Sequence, residues 1–164
     1  MDDGAQGPDR GWVVISIGNP DRGDDAAGHM VAWRLREMLP PDVKIIEQSG
    51  ESAALLANLA GAKAAILIDA CRSGAAPGTI HRLDVSDEPF PKAAFTCSTS
   101  THGLGLFEAI ELARKLGQLP PCCIAYAIEA ENFEAGTAPS PAVAEAIGSL
   151  ADRIAAEILA RAGQ

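Results

Sequence analysis

The sequence predicts an α/β protein in three layers, helices packed on both faces of a twisted, mostly parallel five-stranded sheet with one antiparallel edge strand. Three observations carry this. Short apolar β-branched runs alternate with stretches of helical periodicity. Hydrophobic residues make up 48% of the chain but aromatics only 4%, so the core is built from Ala, Leu, Ile and Val, which suit helices packed closely on a sheet. One run, residues 79 to 83, follows its predecessor with no helix between them, and a parallel pairing needs a crossover of about a dozen residues. A chain of 164 residues suits one domain, expected over 12–164, with the polar, Gly-rich residues 1–11 expected to be a disordered N-terminus.

The first strand is expected from Trp12 to Ile17 and ends in a loop of Gly, Asn and Pro, Gly18-Asn19-Pro20. A helix from Asp24 to Leu39 follows, with Asp24 as N-cap, Ala27, Val31, Leu35 and Met38 at helical spacing and Pro40-Pro41 as the stop. Val43 to Glu47 reads as a strand, and Ser52 to Ala60 as a helix capped by Ser52 and ended near Gly61. Ala64 to Ile68 is continuously apolar, the mark of a central strand buried on both faces, and it terminates in Asp69. Thr79 to Leu83 carries His81 and Arg82, which suit an antiparallel edge.

Asp84 to Ser100, with Pro89 and Pro91, is a loop of functional length. It leads to a helix over His102 to Gly117 and a buried strand over Cys122 to Ile128. If that strand is parallel to the central ones, the helix before it begins at the carboxyl edge of the sheet, and the loop delivers His102 there. The last helix has Ser140 at the cap, Pro141 at its first position, and Val143, Ile147, Leu150, Ile154 and Ile158 on one face.

A formal net charge of −9 opposes polyanion binding, because each phosphate contact wants a Lys or Arg and the 13 present are scattered. Nucleic acid and anionic membrane are therefore not expected as partners. Without an apolar signal region near residue 1 or a run of 18 apolar residues, the expected location is the cytoplasm. Cys71, Cys97, Cys122 and Cys123 have no C-x-x-C spacing and read as free, mostly buried thiols, the adjacent pair pointing to opposite faces of its strand.

Open α/β sheets bind ligands beyond the carboxyl ends of their strands. Three side chains able to hold a metal reach that edge from separate segments: Asp25 from the first helix start, Asp69 from the third strand end, and His102 from the helix after the long loop. Two carboxylates and an imidazole suit a borderline divalent ion such as Ni²⁺ or Zn²⁺, with positions left for substrate or water. Each residue also has an ordinary explanation. Asp25 complements a helix dipole, Asp69 closes a buried strand, and His102 opens a helix. Convergence at one edge favours the ligand reading.

His29 and His81 read as solvent-facing polar residues, and Cys71 as a small packed one. No G-x-S-x-G, H-E-x-x-H or G-x-x-x-x-G-K-[ST] occurs, which removes serine-hydrolase, zincin and P-loop chemistry. Asp21, Asp24 and Asp25 would repel a pyrophosphate at the first helix, so its start suits a cation better than a nucleotide.

These residues resemble the hydrogenase maturation endopeptidases. The likeness rests on Ile17-Gly18-Asn19 through Gly23-Asp24-Asp25-Ala26-Ala27-Gly28, on Leu67-Ile68-Asp69-Ala70, and on Thr101-His102-Gly103-Leu104-Gly105-Leu106, in register. The region from Gly136 to Val143 agrees as well. The resemblance implies an endopeptidase that removes the C-terminal extension from the precursor of a nickel hydrogenase large subunit after nickel insertion. It implies Asp25, Asp69 and His102 as metal contacts and Asp25 and Asp69 as the catalytic carboxylates of an aspartyl-type enzyme. The nickel would be brought by the precursor, and other divalent ions would be able to occupy the isolated site. The family's first carboxylate is Glu or Asp, so Asp25 fits. Gln48-Ser49-Gly50 departs from the pattern, which has an acidic residue and two glycines there. On this view residues 84–100 and 129–139 flank a groove for an extended tail. Two other function classes stay open: a metal carrier or assembly chaperone using the same triad without cutting, and a nucleoside- or phosphate-using enzyme, which the acidic loop disfavours.

Overall fold

The computed structural model describes residues 10–87 and 106–162. In chain order it contains β1 (Arg10–Ile17), a single 3-10 turn (Gly23–Ala26), α1 (Ala27–Met38), β2 (Lys44–Gln48), α2 (Ser52–Leu59) and β3 (Ala62–Cys71). There follow β4 (Ile80–Asp84), α3 (Leu106–Lys115), β5 (Cys122–Glu129) and α4 (Pro141–Ala162). The five strands form one sheet in the order β2-β1-β3-β5-β4. Every pairing is parallel except that of β4 with β5, so the expected antiparallel edge strand is present.

Period-two alternation along the strands builds two cores. Val14, Ile66, Ile68, Ile124 and Tyr126 pack with α1 and α4 on one face, while Val13, Ile15, Leu67, Cys123 and Ala125 pack with α2 and α3 on the other. Cys122 lies against the first cluster and Cys123 within the second, opposite faces as expected, and both are free thiols. The small side chains that the composition promised do the packing: Ala27, Ala32, Ala65 and Ala113 are wholly buried. Among the described residues no helix is long and apolar enough to cross a membrane.

Several boundaries differ from expectation. β1 opens two residues early, at Arg10, where it pairs with Ala62 of a β3 that runs from Ala62 through Asp69 to Cys71. The first helix opens as the 3-10 turn, with neither Arg22 nor Ala26 contributing a side-chain cap. Asp24 is therefore not an N-cap. It lies inside the turn, and its carboxylate bonds elsewhere. Ser52 is the first residue of α2 rather than its cap; Glu51 holds that place without a side-chain hydrogen bond. Cys97, His102 and most of the 84–100 loop lie outside the described residues, as does the start expected for the helix that is seen from Leu106.

Candidate active site

The carboxyl edge of the sheet is shaped first by backbone. α1 begins directly over the ends of β1 and β3, and a Cβ on Gly28 would lie 2.9 Å from the Ile68 carbonyl oxygen and 3.1 Å from that of Ile17. Only a residue with no side chain seats the helix this low. Gly18, with φ +145°, ends β1; a Cβ there would meet the Asp25 carbonyl oxygen at 2.2 Å. Together the two glycines let the turn bearing Asp25 fold back over the strand ends.

Asp25 is 6% exposed, and its Oδ2 accepts the Asn19 amide at 3.1 Å. Asp69 stands near the carboxyl end of β3, part-buried, with Oδ1 accepting the Ala70 amide at 2.8 Å. Withdrawal from water pushes the Asp69 carboxyl up to about 8; the Ala70 hydrogen bond opposes the rise, and the negative charge of Asp25 adds to it. The edge thus brings Asp25 and Asp69 into electrostatic contact from different elements. His102, the third expected member, lies outside the described residues.

Asp24 is fully buried and works as a clasp. Its Oδ2 accepts the amides of Glu131 and Asn132 at 2.8 and 2.9 Å, and its Oδ1 accepts the Ser140 amide at 2.6 Å. The Ser140 hydroxyl donates to the same carboxylate at 3.0 Å. The residue expected to cap α4 thus directs its hydroxyl to Asp24. The loop over 131–139 is further tied by Arg22, whose Nε donates to the Phe133 carbonyl, and by Arg72, stacked 4.7 Å from the Phe133 ring centre.

His29 is not solvent-facing. It is 3% exposed, with Nε2 2.9 Å from the Gly18 carbonyl oxygen and Nδ1 2.6 Å from the Ser16 hydroxyl. A carbonyl can only accept, so Nε2 carries a proton and, in the neutral ring, Nδ1 receives the Ser16 hydroxyl. The ring holds the Gly18 loop from below. His81 is likewise no free edge residue: antiparallel pairing sets it opposite Ala127, and its Nε2 meets Glu129 Oε2 at 3.1 Å. Gln48, where the resemblance leads one to expect an acid, gives its carbonyl oxygen to the Gly18 amide at 3.2 Å. Its buried carboxamide has no hydrogen-bond partner among the described residues.

Sequence reasoning missed Glu129, 2% exposed at the end of β5. Its Oε1 accepts the amides of Ser73 and Gly74 at 2.7 and 3.1 Å. Its Oε2 accepts from the Ser73 hydroxyl at 2.8 Å and the Cys71 thiol at 3.2 Å as well as from His81. Burial opposes ionisation, but the donors from Ser73, Cys71 and His81 prevail and hold the carboxyl down at about 2. A signal was present, since Glu129 closes an apolar strand in the same way as Asp69.

The model of the hydrogenase maturation protease family, HycI, matches residues 30–157, a span that takes in Asp69 and His102 and begins just after Asp25. Among solved structures, the hydrogenase maturating endopeptidase HybD from E. coli is similar at 27% identity, over 92% of this chain and 93% of that one, with a TM-score of 0.78. The [NiFe] hydrogenase maturation protease HycI from Thermococcus kodakarensis KOD1 is similar at 28% identity, over 92% of each chain, with a TM-score of 0.66. Comparison with curated proteins gives no match. The family model spans most of the chain and the structural likeness nearly all of it: the chain belongs to the hydrogenase maturation protease family, whose members are endopeptidases.

Proposed function

We propose that this endopeptidase removes the C-terminal extension of a nickel hydrogenase large-subunit precursor after nickel has been inserted, and that it reads the bound nickel through Asp25, Asp69 and His102. The observation that carries the reading is that Asp25 and the buried Asp69 carboxyl share the carboxyl edge, close enough for the charge of Asp25 to act on Asp69. Two carboxylates placed so that one raises the other's pKa form a site that a divalent cation relieves. An imidazole beside two carboxylates gives the mixed O/N donor set that suits nickel. The donor chemistry therefore fits an ion that arrives with the substrate.

In this mechanism the nickel of the precursor is the recognition anchor, which fixes the tail at the sheet edge. When bound it supplies a positive charge that brings both carboxylates into their ionised form. Asp25 and Asp69 are the catalytic carboxylates, and once ionised beside the nickel either is able to accept a proton from the attacking water. The loop over 129–139, clasped to Asp24, forms one wall of the groove for the extended tail. The reading places processing in the cytoplasm.

Mass spectrometry of a candidate precursor, incubated with the protein with and without nickel, tests this directly. Shortening only of the nickel-loaded precursor is expected, with loss of cutting in Asp25→Asn, Asp69→Asn and His102→Ala while the fold persists. Full processing by all three variants sinks the assignment. Stable capture of an unshortened precursor by the wild-type chain points instead to a carrier.

A further inference from the structure

We propose that Cys71, His81 and Glu129 form a second cation site, distinct from the Asp25–Asp69 edge, that takes a borderline divalent ion of the Zn²⁺ class. One donor atom from each residue, Sγ, Nε2 and a carboxylate oxygen, lies within 4.8 Å of the other two. A tetrahedral ion with bonds of about 2.0–2.3 Å sets its ligands roughly 3.3–3.8 Å apart. The Sγ and Nε2 atoms stand 3.2 and 3.1 Å from Glu129 Oε2, so small side-chain rotations suffice.

The donors are carried by three adjacent strands. Cys71 of β3 is the register partner of Glu129 of β5, and His81 of β4 is paired with Ala127, two residues before Glu129. Ligands on paired strands are held more firmly than ligands on loops. Cys71 is wholly buried, Glu129 nearly so, and His81 partly exposed, which leaves an approach from the edge-strand side. Glu129 also has its outer partners in place: the Ser73 and Gly74 amides hold Oε1, so Oε2 is able to turn to an ion while the carboxylate stays oriented. The Ser73 hydroxyl, 2.8 Å from Oε2, or a water supplies a fourth ligand.

The charge balance suits a buried ion. In the ion-free protein the Cys71 thiol hydrogen points to Oε2. On binding, the S–H bond breaks, a metal–sulfur bond forms and the proton leaves to solvent. The neutral imidazole, which donates from Nε2 to Glu129 in the ion-free protein, changes tautomer as it binds: its Nε2 proton passes to solvent, Nδ1 takes one up, and Nε2 is freed for the ion with no net proton gained or lost at the ring. Thiolate and carboxylate then offset the two positive charges, and no net charge is buried. Sulfur and imidazole select for Zn²⁺, Co²⁺ or Ni²⁺ over Mg²⁺ or Ca²⁺. The donor set is separate from that of the proposed nickel recognition, so the two assignments stand or fall independently.

Cobalt titration of the metal-free full-length chain tests the site. The expected result is a near-ultraviolet thiolate-to-cobalt charge-transfer band with release of one proton per ion, and loss of the band on adding Zn²⁺. Cys71→Ser should abolish the band. His81→Gln, on the partly exposed edge strand and so a mild change to the fold, should weaken cobalt binding about tenfold or more. The Asp25→Asn/Asp69→Asn double variant should keep the band. No thiolate band in the wild-type chain overturns the proposal, as does a band that survives Cys71→Ser, an unchanged affinity in His81→Gln, or loss of the band in the double variant. Should Cys71→Ser not fold, the His81→Gln affinity decides.

Discussion

Asp24 and Ser140, 116 positions apart in the chain, are joined by two hydrogen bonds that run from the backbone amide and the hydroxyl of one serine to one buried carboxylate. With the amides of Glu131 and Asn132 on its other oxygen, Asp24 satisfies three main-chain donors far from it in sequence. Asp24→Ala leaves all three without an acceptor, and Asp24→Asn turns an NH₂ toward at least one of them, the Ser140 amide if the oxygen stays with Glu131 and Asn132. Each change should cost about 3 kcal/mol or more in urea unfolding, a loss far larger than that of removing a helix cap. A cost under about 1 kcal/mol would mean that the clasp is dispensable.

Gly28→Ala tests the seating of α1. The added methyl carbon would lie 2.9 Å from one carbonyl oxygen and 3.1 Å from another, and backbone cannot rotate aside. The helix start must lift, at a cost of about 1–3 kcal/mol. Because Asp25 rides on the same turn, precursor processing should fall more steeply than stability. Parallel thermal unfolding and cleavage assays separate the two effects.

The electrostatic contact between Asp25 and Asp69 is measurable without any metal. Burial is the larger cause of the raised Asp69 carboxyl and Asp25 the smaller. In Asp25→Asn the Asp69 titration, followed by carboxyl NMR, should therefore move down from about 8 yet stay above the ordinary 3.8. An unmoved titration would place the two groups too far apart to share an ion.

A pH dependence of stability is expected away from the site. Burial alone would raise the Glu157 carboxyl, but Arg82 and Tyr126, both 2.5 Å from it, prevail and hold it below its ordinary 4.5. A depressed folded-state pKa contributes stability that is complete above 4.5 and is lost as pH falls through the folded value. Urea midpoints should drop on the acid side, and Glu157→Gln should flatten that limb. An equally steep limb in the variant would assign the acid loss to other carboxylates.

What was legible in the sequence is what local pattern controls. The antiparallel β4 was visible because too few residues separate it from β3 for a crossover, and Asp69 stood out because it is polar at the end of an apolar run. Asp24 was misread because a helix-start Asp looks like a cap, whereas the donors that claim it are supplied from residues 131–140. His29 was misread for a related reason. Helical spacing alone does not show that the strand ends rise to meet the helix, and it is the two glycines that bring Ser16 and the Gly18 carbonyl onto its ring.

The contact of Gly28 with the Ile17 and Ile68 carbonyl oxygens has a bearing on how such a chain varies. Main-chain oxygens stay in place whichever apolar side chains hang beneath them. The carboxylate spacing at the sheet edge is thereby insulated from the repacking of Leu, Ile and Val below, and it can be inherited unchanged while the interior is rewritten.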